Sequence, residues 1–446
     1  MGPLFGTILA FLIVFGILVF IHEFGHFFTA KLVGIRVETF SFGYGKRLFG
    51  VRRKETDYRV SLIPMGGYVK FLGEGEVSAD GGTSNLPPDH FLSKTRWERF
   101  LVMFMGSAMN IVLALVISAI VNMVGVTVPA YQEQAPVVGF IESGSPAEKA
   151  GLAEGDEILA IDGERVKTWN DVDLAVGSKP ERDLNILIRR GQEEVRKELR
   201  TEKKTRYALG YAGFIGRILT QVKMVKPDSP AEKAGLQPGD VVQSVNGEPV
   251  YYFQFIEMME KNPGKELAFR VERKGEMIEL LVTPRLAGKV GEIGMYLEPE
   301  SLPIKYGFFA AIGQSVRENV RNTFLIIRFL RDLIAGRAST RQLGGPLEIA
   351  SFSYAAMQMG FLAMLSFIGL ISLQLGIINL FPIPVFDGGQ IFVLALEGLF
   401  RRDFSPRIRQ IWMQIGFVIF VLLIVFIILN DIVKRMPKGW ESLIPW

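Results

Sequence analysis

Residues 6–30 read GTILAFLIVFGILVFIHEFGHFFTA, an apolar run with a charged motif near its end. Every residue from Gly2 to Ile21 is uncharged. A helix of about 20 apolar residues crosses the ~30 Å hydrocarbon layer of a bilayer, so the block has the length and composition of a membrane span. Its far end carries His22, Glu23 and His26. Ionisable groups at membrane depth cost about 3 kcal/mol each and are kept there mainly for function. A signal peptide fits poorly, because the block has neither a basic start nor a small-residue cleavage site. The segment is expected to be retained.

Three more uncharged blocks follow, Phe100 to Gln132, Ile349 to Phe386 and Ile411 to Asn430, and the mean hydropathy of the 446 residues is +0.27. Buried core helices account for shorter runs than these. The uncharged run 349–386 would make a helix of ~57 Å, nearly twice the hydrocarbon layer, so its crossing is expected to begin near Gly360. The chain has no Cys, which excludes disulfides and thiolate ligands. A net charge of +4 gives no sign of nucleic-acid binding. The basic residues instead cluster beside the apolar blocks. Lys46, Arg47, Arg52, Arg53 and Lys54 follow the first, and Arg401, Arg402, Arg407 and Arg409 precede the last. The positive-inside rule puts both clusters in the cytoplasm, and four crossings satisfy that arrangement.

The large region between the second and third blocks contains a repeat. SPAEKAGL occupies Ser145–Leu152 and, identically, Ser229–Leu236. Each copy leads to Gly-Asp (Gly155-Asp156, Gly239-Asp240), a short apolar strand, and a turn dipeptide, Asp162-Gly163 or Asn246-Gly247. The unit resembles a PDZ domain, a fold that binds extended peptides along a sheet edge; a pair of spacers is the alternative. Beyond it, Lys305 to Arg337 mixes apolar residues with Arg317, Arg321, Arg328 and Arg331. This predicts an amphipathic helix, either on the membrane surface or packed on the outer domains.

On a helix, His22 and His26 lie one turn apart on one face, so both imidazoles reach a single metal ion. Glu23, beside the first ligand, is placed to take a proton from an attacking water. With only three His in the chain, chance accounts for such a pair around Glu on the order of one time in a thousand. Catalytic zinc takes three protein ligands as a rule. His90, in the polar NLPPDH, reads as an ordinary exposed residue. Asp387, in NLFPIPVFDGGQ, is the sole charge between Glu348 and Glu397. The first and third crossings run in the same direction and carry HEFGH and Asp387 near their cytoplasmic ends, at one depth. Pro382, Pro384, Gly388 and Gly389 break the helix there, which a membrane tolerates where backbone lines an enclosed cavity.

With HEFGH in the first span, FPIPVFDGG in the third and tandem PDZ-like repeats between, the whole chain resembles the site-2 proteases, and most of all their bacterial members with four crossings. The motif residues matched are His22, Glu23, His26, Asn379, Pro382, Pro384, Asp387 and Gly388; Phe386 stands where the family usually has Leu. The resemblance implies an intramembrane metalloprotease with one Zn2+ per chain, held by His22, His26 and Asp387, with Glu23 catalytic. It implies a membrane-associated β-hairpin after HEFGH that presents substrate, mapping here to Thr39–Leu48, with Gly43 and Gly45, and to Arg59–Phe71. Asn379, Pro382 and Pro384 would contact substrate. It further implies residence in the bacterial inner membrane, with PDZ-like domains in the periplasm and the active site near the cytoplasmic side. Substrates would be transmembrane proteins such as anti-sigma factors, and remnant signal peptides. The lipid bilayer is the surrounding partner.

The expected fold is a polytopic α-helical membrane protein with four transmembrane helices, two extracytoplasmic α+β PDZ-like domains and a membrane-associated β-hairpin region. Residues 1–31 form the first span and 32–97 the cytoplasmic hairpin region. The second span is 98–128, the PDZ-like domains 129–215 and 216–300, and the linker helices 301–359. The third span is 360–399, the cytoplasmic loop 400–410, the fourth span 411–431 and the outer tail 432–446. A catalytically inactive PDZ receptor or chaperone, and a metal transporter, are the competing classes. The transporter predicts ionisable residues along a full crossing, and the middles of the second and fourth blocks hold none.

Overall fold

The computed structural model describes residues 3–73, 86–204, 209–287 and 290–435, so most of the expected outer tail lies outside the described residues. The chain divides into two compact units. The first joins Met1–Gly125, Lys305–Arg331 and Leu343–Trp446; the second joins Val126–Ile304 and Asp332–Gln342.

In the first unit, α1 (Pro3–Leu32) and α2 (Arg96–Val124) frame a long antiparallel hairpin, β1 (Val37–Arg53) with β2 (Thr56–Phe71). Further along come α3 (Phe308–Ile334), α4 (Pro346–Met359), α5 (Phe361–Asn379), α6 (Asp387–Leu399) and α7 (Pro406–Lys434). Among the described residues four helices are long and apolar enough to cross a membrane: Leu4–Leu32, Arg96–Val124, Phe361–Asn379 and Arg407–Lys434. Thr95 starts α2 with a capping box to Glu98, and Gly125, at φ +107°, ends it. Residues 126–129, counted in the second apolar block from sequence, therefore form a strand instead, paired with Ser301–Ile304. Gly360, at φ +106°, separates α4 from α5.

Helix contacts are built on small residues. A Cβ added to Gly25 of α1 would stand 2.3 Å from the Met105 carbonyl oxygen of α2, and one on Gly376 of α5 would stand 2.9 Å from the Ser107 carbonyl oxygen. Only glycine permits backbones to approach so closely, and this is how apolar helices associate where no hydrophobic force separates them from lipid. The apolar α7 is tied at its ends. Arg409 pairs with the fully buried Glu397 of α6 (2.6 Å), and Lys434 pairs with Glu348 of α4 (3.1 Å).

The amphipathic α3 turns its polar side inward. Ser315 donates to the Leu115 carbonyl of α2 (2.7 Å), and Ser118 and Asn122 of α2 donate to Glu318 (2.8 and 3.0 Å). Phe309, Ile312, Val316, Val320 and Phe324 are exposed. An apolar outer face over a hydrogen-bonded inner one is the pattern of a helix bordering lipid.

The second unit consists of two β-rich lobes that follow the repeat. In the first lobe, Glu157–Ile161, Glu164–Arg165, Asp183–Arg190 and Glu193–Arg200 form one sheet, and Val138–Ile141 pairs with Phe214–Gly216; the helix is Trp169–Gly177. In the second, Glu276–Val282, Leu267–Arg273, Val241–Val245, Thr220–Val225 and Met295–Pro299 lie side by side, with the helix Tyr252–Lys261. SPAEKAGL plays the same part in both. Ser145 and Ser229 cap a single helical turn, and Ala147, Leu152, Ala231 and Leu236 enter the two cores. Asp162-Gly163 and Asn246-Gly247 adopt positive φ throughout, as tight hairpin turns require.

Candidate metal centre

The helical spacing of HEFGH brings the His22 and His26 rings edge to face, with centroids 4.8 Å apart and their Nε2 atoms 3.2 Å apart. The third group arrives from a broken helix. α5 stops at Asn379, and Pro382 and Pro384 prevent its continuation. Ile383 N–H donates to the Phe381 carbonyl and Phe386 N–H to the Ile383 carbonyl, closing a tight turn. Gly388 and Gly389 let the next helix start against that turn: a Cβ on either would stand 2.2–2.3 Å from the carbonyls of Leu380, Phe381 and Ile383. Asp387 is thereby the first residue of α6. Its Oδ2 lies 3.4 Å from His22 Nε2 and its Oδ1 3.4 Å from His26 Nε2. One donor atom from each of the three residues lies within 4.8 Å of the others.

His26 Nδ1 donates to the Val102 carbonyl (2.8 Å), which leaves the Nε2 lone pair facing the cluster. The three side chains are only 11, 9 and 16% exposed. Acceptors gathered this closely, away from water, repel one another unless a cation sits among them. Two imidazoles and a carboxylate are also a donor set that suits a catalytic divalent ion. On both counts the residues fit a metal.

Glu23 is half-buried, and its Cγ lies where a Cβ on Gly67 of β2 would come within 3.0 Å. The hairpin therefore passes directly over it. Burial first, and then the charge of Glu23, push the Tyr44 hydroxyl above the ordinary phenol range. Asn379 ends α5 half-buried, Pro382 is exposed, and Pro384 is buried where Gly416 of α7 has no room for a side chain. Gly43 and Gly45 sit at φ +91° and +85° in β1, and their nearest neighbours, atoms of Ser61 and Ile63, belong to the hairpin itself.

His90 differs from its sequence reading. It is buried, with Nδ1 accepting from Leu92 N–H and the ring packed where Gly73 leaves space. Missing from the sequence reading altogether are Gly106, Ser107 and Asn110 of α2. Ser107 Oγ donates to Asp387 Oδ2 (3.0 Å), and Asn110 Nδ2 stands 3.4 Å from His22 Nδ1. The sequence offers only a weak signal for them, Ser107 and Asn110 being polar residues among several inside an uncharged block.

The family model for peptidase family M50 matches residues 10–423. The Escherichia coli (strain K12) protein named regulator of sigma-E protease RseP is 34% identical over 454 residues, covering 95% of this chain and 97% of that protein. Protease RseP of Yersinia pestis is 33% identical, with 95% and 98% covered. A Vibrio cholerae protein named as a zinc metalloprotease is 30% identical, with 97% and 100% covered. Among solved structures, the PDZ domain of the SdrC-like protein from Listeria monocytogenes matches 18% of this chain and 85% of its own at 21% identity and a TM-score of 0.17. At that score the likeness assigns nothing. The match to the family model and the near-full-length relatives establish that this chain belongs to peptidase family M50.

Proposed function

We propose that His22, His26 and Asp387 hold one zinc ion per chain, and that Glu23 is the general base and then the proton donor of peptide-bond hydrolysis in or near a substrate's transmembrane segment. The chain, as a member of family M50, is a membrane-embedded metalloprotease acting on membrane proteins in regulated proteolysis. The observation that carries the ligand assignment is the convergence of three shielded acceptor groups from two separate helices. When bound, the ion supplies Lewis acidity to the scissile carbonyl and acidity to water. Glu23, one residue from His22, then takes the proton of the attacking water and returns it to the departing amide nitrogen. Asn379, at the end of α5, is a candidate to hydrogen-bond the substrate backbone.

A transmembrane helix hides its carbonyls in internal hydrogen bonds, so it must be drawn out to be cut. The hairpin supports that role. It lies over Glu23, and it exposes Tyr44, Leu48, Phe49, Val51, Leu62 and Ile63, a surface suited to lipid and to an extended apolar peptide. Gly43 and Gly45 would let substrate backbone come close, and Pro382 and Pro384 would shape the opposite wall. The two lobes are read as PDZ-like domains in the periplasm that screen substrates, with the active site near the cytoplasmic face of the inner membrane; the basic flanks at Lys46–Lys54 and Arg401–Arg409 support that orientation. Relatives named as regulators of sigma-E favour anti-sigma factors as one substrate class, and remnant signal peptides are a second. The intact acceptor cluster argues against an inactive receptor.

Metal analysis of purified protein tests the ligand set. Wild type is expected to carry one zinc per chain, and His22→Ala and Asp387→Asn to lose it. Full zinc occupancy in either variant would remove that residue from the set.

A further inference from the structure

The three proposed ligands come from α1 and from the start of α6, yet each has a partner on a third helix. His26 Nδ1 donates to the carbonyl of Val102, Ser107 Oγ donates to Asp387 Oδ2, and the Asn110 amide adjoins His22 Nδ1. Positions 102, 106, 107 and 110 share one face of α2. Ser107 and Asn110 are both fully buried. α2 itself contributes no group to the acceptor cluster.

We propose that α2 is the template that orients the metal site, with Ser107 and Asn110 as positioning residues. This rests on the assignment of His22, His26 and Asp387 as ligands. Asp387 follows a helix break, so its carboxylate gains little orientation from the backbone before it. Donation from Ser107 to Oδ2 fixes the carboxylate plane so that Oδ2 faces His22 and Oδ1 faces His26. An imidazole that offers Nε2 to a metal carries its proton on Nδ1, and that N–H needs an acceptor. Asn110, whose amide adjoins His22 Nδ1, supplies one once that amide is turned over, because the two ends have the same shape and Oδ1 otherwise has no hydrogen-bond partner. The site is therefore keyed to α2 at all three ligands, and a shift of α2 against α1 would disturb every one.

The test uses the purified full-length protein, loaded with zinc and challenged with a chromogenic chelator. In parallel, the cobalt-substituted protein is examined by visible absorption, which reports ligand geometry. Ser107→Ala and Asn110→Leu are expected to release zinc about 10- to 100-fold faster than wild type, with an altered cobalt spectrum and unchanged helical circular dichroism. Ser353→Ala is the matched control, since it removes a fully buried hydroxyl that bonds Ile349 within α4, and it should release zinc as wild type does. Wild-type release and spectrum in Ser107→Ala, with zinc bound in wild type, would overturn this proposal alone. Equal acceleration in Ser353→Ala would also overturn it, by tracing the effect to general packing. Absence of stoichiometric zinc from wild type would overturn it together with the ligand assignment.

Discussion

Gly106 meets His26 across the contact between α1 and α2, and a Cβ placed on it would stand 2.2 Å from His26 Nε2. Gly106→Ala should thus displace the ring from Asp387 without removing any ligand. Zinc content is expected to fall, and cleavage with it by at least about tenfold, while helical content is unchanged; retention of both would contradict the close approach described here. The contrast in what could be read beforehand has a physical basis. His22 and His26 announce themselves by helical spacing, and Asp387 by being the sole charge in a long apolar run. Gly106, Ser107 and Asn110 give a weaker sign, because small, hydroxyl and amide residues serve ordinary helix packing in any membrane bundle. The burial of His90 is hidden in the sequence for a related reason: polar neighbours along the chain say nothing about a ring that packs into the space left by one glycine.

At the level of elements, each lobe is braced by a buried Asp from its Gly-Asp pair. Asp156 accepts from Ala153 N–H and from Arg190, and Asp240 accepts from Gln237 N–H and from Arg273. The Gly-Asp half of this brace is visible in the repeat. The Arg half is not, because it lies on another strand and only the pairing of Glu157–Ile161 with Asp183–Arg190 brings it near. Burial alone would raise the Asp156 carboxyl, but the Arg190 hydrogen bonds and the Ala153 N–H outweigh it and hold the group below the usual carboxylate range. A depressed folded value gives stability that is present above the ordinary carboxyl pKa and is lost as pH falls through the folded one. Asp156→Ala should weaken the first lobe by about 1–3 kcal/mol at neutral pH, read as faster amide hydrogen exchange in its central strands, and the mutant lobe should lose less on acidification than wild type. Unchanged protection would contradict the brace. The hairpin β1–β2 follows from the resemblance to the site-2 proteases, whereas nothing in the sequence points to the inward polar face of α3, since its partners Leu115, Ser118 and Asn122 lie far away in the chain.

For the molecule as a whole, the apolar blocks predict four crossings, and the basic flanks predict their direction. The strand at Val126–Pro129 shows where such reading stops: its partner, Ser301–Ile304, follows both lobes, and hydropathy alone extends the span through it. The orientation is open to a clean test because the chain has no Cys. Single cysteines at Gln192, in the first lobe, and at Arg402, in the loop before α7, are expected to react with an impermeant maleimide from opposite sides of the membrane. Reaction of both from one side would refute the four-crossing arrangement. Whether peptide bonds are cut through Glu23 at a His22–His26–Asp387 metal site is decided by purified Glu23→Gln beside wild type on one model transmembrane substrate, with zinc measured in both. Equal zinc in the two proteins is expected, with cleavage by Glu23→Gln lower by about 100-fold or more; undiminished cleavage by Glu23→Gln would exclude Glu23 as the catalytic base.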